Sequence, residues 1–387
     1  MAFFRNGAVN LLNLHYGIHA VAFSGADAFV LVYLLKAGVP VAGVLLSLAL
    51  ILLGRFLIRP IAIVAGIRSG LRALVVAGTL LNASVYPLVA AVRGVGVNLA
   101  AVIVVAAIGS TLYWTSYHAY FARLGDNDHR GQQIGVREAI AALVGIASPL
   151  ATGWMLVAFG PRVAFGANAL VCAAAALPLL WAPDVTVRRH APGVIRAALP
   201  AMLIFAGDGW LAVGNVFLWQ IALFISVKQG FLAYGGAIAL AALVGAAGGM
   251  TLGRHIDAGH GRRAVWYVLS VMALMVALRA AACGNVTLAV LANALGSLGY
   301  CLYIPTMMTP IYTMAKRSAC VLRFHVATEG GWDLGGAIGL LIAALATASG
   351  VPLPVVILLA LPGVAALGVM LRRYYVRVPA IADVPQR

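Results

Sequence analysis

Apolar residues run in long stretches along the whole chain, and short polar connections separate one stretch from the next. A helix needs about 20 apolar residues to cross a bilayer, where lipid satisfies no backbone hydrogen bond. No ten-residue segments of alternating polar and apolar positions appear, so the pattern favours helices throughout. It predicts twelve helical spans, at residues 12–35, 40–65, 71–92, 97–122, 133–157, 162–182, 198–226, 231–253, 263–281, 285–314, 325–348 and 352–372.

The longest polar connection lies near the middle of the chain, at residues 184–196, and it divides the twelve spans into two sets of six. The expected organisation is an N-terminal six-helix bundle at 1–183, a linker at 184–197, a C-terminal six-helix bundle at 198–374 and a tail at 375–387. Both the linker and the tail are expected in the cytoplasm.

A sequence repeat supports this division. Its members, about half a chain length apart, are Gly109, Ser110 and Tyr113 with Gly296, Ser297 and Tyr300, followed by Glu138 with Glu329. A repeat at half-length in an apolar chain is typical of membrane transporters built from two similar bundles.

Composition and charge agree with a membrane protein. Hydrophobic residues make up 63% of the chain and charged residues 9%, whereas a soluble domain carries about 25% charged residues. The net charge of +16 is concentrated in the connections on one side of the predicted spans, which places both termini in the cytoplasm. Acidic lipid headgroups are sufficient partners for this charge, and no nucleic acid is needed to explain it. The four cysteines lack metal-ligand spacing, so neither a zinc site nor a disulfide is expected. No cofactor is expected either.

The connection between the eighth and ninth spans carries a recognisable motif. It contains Gly253, then Asp257, then Gly261 and the basic pair Arg262 and Arg263. With the six-plus-six organisation, this motif resembles the major facilitator superfamily. The resemblance implies an all-α integral membrane protein with twelve transmembrane helices in two pseudo-symmetric bundles. It also implies that these five residues form a conformational latch, in which the aspartate caps a helix and pairs with a basic residue.

The first half has no equivalent aspartate. Its matching connection carries Gly66 at that position, so the latch is expected in the second half alone.

Two carboxylates fall inside predicted spans at repeat-related places. Asp27 lies in the first span and Asp208 in the seventh, which opens the second half. A charge in the hydrocarbon region costs about 2.5–3.5 kcal/mol on insertion scales, so it usually faces a cavity or a partner. Both residues are therefore candidates for binding a substrate, and Asp27 also for carrying a proton. The alternative is an ion pair with Arg or Lys that only stabilises the fold.

Histidines and further acids extend the set of titratable candidates. His15 and His19 share a helix face and, with Asp27, could bind a divalent metal, whereas His118 is a candidate substrate contact. The alternative is that each histidine is hydrogen-bonded inside a packed helix.

Three more acids are candidates for proton coupling. They are Glu138, Glu329 and Asp333, of which the last two lie one helical turn apart. Two stacked carboxylates repel each other unless one is protonated or a cation lies between them. The alternative for Glu138 and Glu329 is a gating ion pair at the cytoplasmic mouth.

Aromatic side chains add candidates for holding an amphipathic ligand. Tyr117, Tyr300 and Trp210 each combine an apolar body with one polar atom. The alternative is an interfacial aromatic belt.

These features favour a secondary transporter that works by alternating access. The chain has no nucleotide-binding P-loop and no nucleophile–base pattern, which argues against an ATP-driven pump and a membrane enzyme. Acids, aromatics and the expected peripheral position of Arg279 favour a small neutral, cationic or amphipathic organic solute, with the proton as coupling ion. The alternatives are a divalent metal exporter using His15, His19 and Asp27, or a non-transporting membrane module. A monomer in a bacterial inner membrane is expected.

Overall fold

The computed structural model describes residues 6–124, 130–186, 191–256 and 261–377, and every regular element in these ranges is a helix. We number the membrane-crossing helices α1 to α12. In the first half, α1 is Gly7–Lys36, α2 and α3 are residues 41–69 and 71–90, α4 is Val97–Leu124, α5 is Arg130–Ala158 and α6 is Gly160–Trp181. In the second half, α7 is Val194–Ser226, α8 Phe231–Ile256, α9 Gly261–Ala282, α10 Val286–Lys316, α11 Val321–Ala348 and α12 Ala360–Arg377, which follows a short helix at Leu353–Ile357.

The helix count confirms the prediction from the apolar runs. Eleven described helical segments are long and apolar enough to cross a bilayer, and one of them, Val41–Ala90, has 50 residues. A continuous helix of that length would extend about 75 Å, more than twice the hydrocarbon thickness. The backbone breaks inside it at Gly70, where φ is 79° and ψ is 167°. The segment is therefore two crossings, α2 and α3, and the total is twelve.

The start of α3 is capped by a distant aspartate. The amide of Arg72 donates to Asp184 Oδ1 at 3.1 Å, and the amide of Leu71 donates to the Val185 carbonyl at 2.9 Å. These two contacts satisfy amides that a helix N-terminus leaves without partners. The first half lacks an aspartate in the connection itself, as Gly66 predicts, and Asp184, three residues beyond the end of α6, supplies a carboxylate there.

We expect the Asp184→Ala variant to lose about 1 kcal/mol of stability, because it removes a side-chain cap from α3. Asp184→Asn is the matched control, since an amide oxygen caps a helix about as well as a carboxylate. Thermal unfolding of both variants in detergent measures the difference. Equal melting temperatures for the two variants would show that the cap contributes nothing.

Two helices contain a π-helical segment. In α1 it covers Phe23–Asp27, and in α7 it covers Val213–Leu218. Such segments occur as short bulges inside α-helices, frequently at functional sites. The first and seventh helices open the two halves, so the irregularity recurs in repeat-related helices.

The chain separates into two compact units. The first contains Met1–Pro192 with Val227–Leu240, and the second contains Gly193–Ser226 with Ala241–Arg387. The first unit thus holds α1 to α6 and the beginning of α8, and the second unit holds the rest. The change of unit at Gly193 falls inside the polar connection at residues 184–196.

Candidate functional site

Asp27 ends the π-helical segment of α1 and is exposed, although it lies nine residues inside the helix from its end at Lys36. Nine residues place it about 14 Å along the helix axis. An ionisable group at that depth is costly against lipid, so such a group usually faces water or a polar partner. The hydroxyl of Tyr86, on α3, hydrogen-bonds to the carboxylate. Asp27 is therefore oriented by one partner and keeps an accessible face.

Small and polar residues allow α1 to approach its neighbours beside Asp27. A Cβ atom on Gly25 would lie 2.7 Å from Thr152 Oγ1 and 2.8 Å from Asn168 Oδ1, so only glycine fits there. Asn168 Nδ2 in turn donates to Thr152 Oγ1 at 3.2 Å and to the Ala164 carbonyl at 2.9 Å. This contact holds α1, α5 and α6 together two residues before the carboxylate.

Asp208, the repeat-related carboxylate, has a different environment. It is half-buried on α7, accepts a hydrogen bond from Tyr303 Oη at 2.5 Å, and also bonds to the Trp332 side chain. Tyr303 belongs to α10 and Trp332 to α11, so this carboxylate joins three helices of the second unit. Its contacts are those of a group that stabilises the fold.

The two histidines on α1 are buried and engaged. His15 Nδ1 lies 2.6 Å from the Ala175 carbonyl and Nε2 lies 3.2 Å from Tyr113 Oη, so both ring nitrogens have partners. The ring of His19 stacks on Tyr113 with centroids 4.2 Å apart. Among the described residues, no three His, Cys, Asp or Glu side chains are placed to hold a metal ion. The structure therefore does not assemble the metal site suggested for His15, His19 and Asp27.

The candidates on α4 separate into a buried and an exposed residue. Tyr117 is fully buried and stacks between Tyr113, at 5.6 Å, and Tyr16, at 5.4 Å. Its neighbour His118 is exposed, with its ring 5.5 Å from that of Trp114. Tyr117 is thus part of the aromatic core of the first unit, and His118 presents an accessible imidazole.

Tyr300 and Trp210 lie in the second unit with Asp208. Tyr300 Oη accepts from Asn215 Nδ2 at 3.0 Å, and its ring is 5.9 Å from that of Tyr303. Trp210 Nε1 donates to the Leu359 carbonyl at 2.7 Å. Tyr300 is therefore linked through Tyr303 to Asp208, whereas the polar atom of Trp210 ties α7 to the segment before α12.

Arg279 corrects an expectation from the sequence. It is in the last turn of α9, as predicted, but its side chain is only 4% exposed. Nη1 donates to both the backbone carbonyl and the side-chain oxygen of Asn215, and the guanidinium lies 5.2 Å from the ring of Trp219. The side chain is thus packed inside the second unit at its π-helical segment, not placed at its periphery.

Two arginines inside α2 were missed by the sequence analysis. Arg55 and Arg59 are one turn apart, Arg59 is 3% exposed, and its Nη1 donates to Thr115 Oγ1 at 3.3 Å. Both are visible in the sequence as charges inside an apolar run. Inserting such a charge into the bilayer costs about 2.5–3.5 kcal/mol. Arg59 thus places a second buried guanidinium inside a predicted span, in addition to that of Arg279.

The remaining acids lie in both units. On α11, Asp333 is fully buried and Glu329, one turn earlier, is half-buried. The side chain of Glu138, on α5, lies outside the described residues.

Only part of the latch motif is described. Gly253 is in α8 and Gly261 is the first residue of α9, whereas Asp257 and the side chains of Arg262 and Arg263 lie outside the described part of the chain.

Solved structures of transporters share this architecture. An auto-inhibited peptide transporter of the POT family is 13% identical, with a TM-score of 0.69 and 98% of each chain covered. The POT family transporter PepTSo is 11% identical, with a TM-score of 0.70, and covers 96% of this chain and 99% of its own. The human organic anion transporter MFSD10 is 15% identical, with a TM-score of 0.68, and the match covers 94% of this chain and 99% of that transporter. At these identities the likeness establishes the fold alone.

The family follows from the sequence itself. No curated protein matches the chain closely enough to count as a relative. The model of the Major Facilitator Superfamily matches residues 14–234, which is more than half of the chain and includes residues of both units. Twelve membrane-crossing helices, the half-length repeat and this match lead to one conclusion: the chain belongs to the Major Facilitator Superfamily of transporters.

Proposed function

We propose that this protein is a secondary active transporter that moves a small neutral, cationic or amphipathic organic solute by alternating access, coupled to protons. The observation that carries the proposal is Asp27, an accessible carboxylate well inside a membrane-crossing helix. Such a group attracts a cation and can also take up and release a proton. Membership of a transporter superfamily supports the same direction.

The two buried arginines, Arg59 and Arg279, do not reverse the proposed sign of the substrate charge. Arg59 and Arg279 are 3% and 4% exposed, and both guanidiniums donate to neighbouring side chains. A solute in a cavity would find little of their surface, whereas Asp27 and His118 are exposed. The accessible polar groups of the first unit thus favour a neutral or cationic solute over an anionic one.

Proton coupling is proposed to involve Asp27 first, and Glu329, Asp333 and Glu138 as further candidates. Burial of Asp333 makes its ionised form costly, and Glu329 lies one turn away on the same helix. Each of these groups is an acid that a proton can neutralise inside a membrane protein. We further propose a monomer in a bacterial inner membrane with both termini in the cytoplasm.

A stability screen of the full chain in detergent tests the substrate class. The ligands are sugars, amino acids, amphipathic cations, carboxylates and divalent metals at two pH values. A ligand at 100 times its Kd stabilises the native state by about 2.7 kcal/mol, which is measurable as a raised melting temperature. We expect cations or neutral amphiphiles to raise it, and the shift to disappear in Asp27→Asn. Stabilisation by carboxylates alone would contradict the proposed substrate class.

A further inference from the structure

A groove of about 780 Å³ opens between α9 and α12, both in the second unit. Its floor is apolar and is formed by Leu269 and Ala273 from α9 and by Val364 and Gly368 from α12. Gly368 keeps it open, because a Cβ atom there would have its nearest neighbour, Leu269 Cδ1, at 3.4 Å and any longer side chain would fill the space. We call this feature the α9–α12 groove.

The mouth of the α9–α12 groove is positively charged. Arg372 and Arg373 line it, and both are exposed. The guanidinium of Arg372 lies 6.0 Å from the ring of Trp266, which is itself 55% exposed. Within the part of the chain that the structure describes, no carboxylate pairs with either guanidinium. The mouth thus offers two cations beside an amphipathic ring of the kind found at membrane interfaces.

The length of the groove matches one leaflet of a bilayer. From Arg372 to Val364 the helix rises about 12 Å, and the hydrocarbon of one leaflet is about 15 Å thick. A lipid whose phosphate lies at the mouth would therefore extend its acyl chain along the apolar floor. A guanidinium binds phosphate oxygens through paired, charge-assisted hydrogen bonds.

We propose that the α9–α12 groove binds one anionic phospholipid. Arg372 and Arg373 hold the phosphate, Trp266 contacts the glycerol region, and the acyl chain packs against the floor. Basic pockets between membrane helices recognise anionic headgroups in this way. The site is separate from Asp27 and does not depend on the identity of the transported solute.

Native mass spectrometry of the full chain tests the site. The protein in detergent receives equal amounts of palmitoyl-oleoyl phosphatidylglycerol and palmitoyl-oleoyl phosphatidylcholine, which share their acyl chains. We expect one phosphatidylglycerol to be retained in preference to phosphatidylcholine. Since each arginine near an anionic surface contributes about fivefold in affinity, the Arg372→Gln/Arg373→Gln variant is expected to bind phosphatidylglycerol roughly 25-fold more weakly.

The matched control is Lys316→Gln/Arg317→Gln. This adjacent pair is also exposed and ends a helix of the same unit, but it does not line the groove. We expect this control variant to retain phosphatidylglycerol like the wild type. We expect the Gly368→Phe variant to lose both lipids from the groove. An equal loss in the two double variants, or no preference for phosphatidylglycerol over phosphatidylcholine, would overturn the proposal. A dimer that dissociates in Gly368→Phe would assign the groove to a second copy of the chain instead, and would overturn it too.

Discussion

Asp27→Asn is expected to reduce proton-driven uptake of an organic cation by roughly 30-fold or more. The substitution keeps the size of the side chain and its capacity to accept from Tyr86, but it removes the charge. A bound cation displaces water from its contact with Asp27, and losing one partner of such a charge pair costs about 2–5 kcal/mol, where 1.4 kcal/mol is tenfold in affinity. The measurement is uptake of radiolabelled 1-methyl-4-phenylpyridinium into proteoliposomes under an imposed pH gradient.

Asp208→Asn is the control for this experiment, because Asp208 is the repeat-related carboxylate and already bonds to Tyr303 and Trp332. We expect this variant to lose stability, since an amide accepts hydrogen bonds more weakly than a carboxylate, and to retain most of its uptake. Asp27→Asn is expected to melt close to the wild type. If Asp208→Asn abolished uptake and Asp27→Asn did not, the substrate site would lie at Asp208 in the second half of the chain, and the proposed site at Asp27 would be wrong. Unchanged uptake in both would favour a non-transporting module.

Hydropathy predicts the helices of this protein well, for a physical reason. In lipid every backbone polar group must be satisfied within its own segment, so a long apolar run has one stable conformation. The break at Gly70 falls between the predicted spans 40–65 and 71–92, and the described helices lie over the predicted apolar runs. These features depend on local sequence alone.

The roles of individual charged residues depend on distant partners and are harder to predict. Asp27 and Asp208 look equivalent in the sequence, yet one is exposed and the other is bonded to α10 and α11. His15 and His19 share a helix face as predicted, but Tyr113, on α4, contacts both rings. Helical spacing shows which side chains are neighbours on one helix, and it does not show what the next helix presents to them.

The arginines inside the membrane-crossing helices differ in how far they can be recognised from the sequence. The buried orientation of the Arg279 side chain depends on Asn215, a residue of another helix. The position of Arg279 near a helix end does not predict this orientation. Arg55 and Arg59 are different, because a pair of charges inside an apolar run is visible in the sequence. Counting every charge inside a predicted span, acidic or basic, would have found them.

Gly335→Ala is expected to destabilise the second unit by about 1–3 kcal/mol or more, the usual cost of overpacking. A Cβ atom at Gly335 would lie 2.0 Å from the Ala206 carbonyl oxygen, and one at Gly331 would lie 2.2 Å from the Met202 carbonyl oxygen. The backbones of α7 and α11 are thus in direct contact, as small residues permit between membrane helices. Because the obstacle is backbone, no side-chain rotation relieves the clash, and one helix must move away from the other.

The matched control is Gly166→Ala in α6, where no atom lies within 4 Å of the added Cβ. There the alanine is expected to be neutral or to stabilise by about 0.5–1 kcal/mol, because glycine loses more conformational freedom on folding. Thermal unfolding in detergent, followed by tryptophan fluorescence, compares the two variants. If the Gly335→Ala variant had the same melting temperature as the Gly166→Ala variant, α7 and α11 would not be in contact. The same displacement would separate Trp332 from Asp208, so the close approach of two glycine-containing helices also determines whether that carboxylate stays engaged.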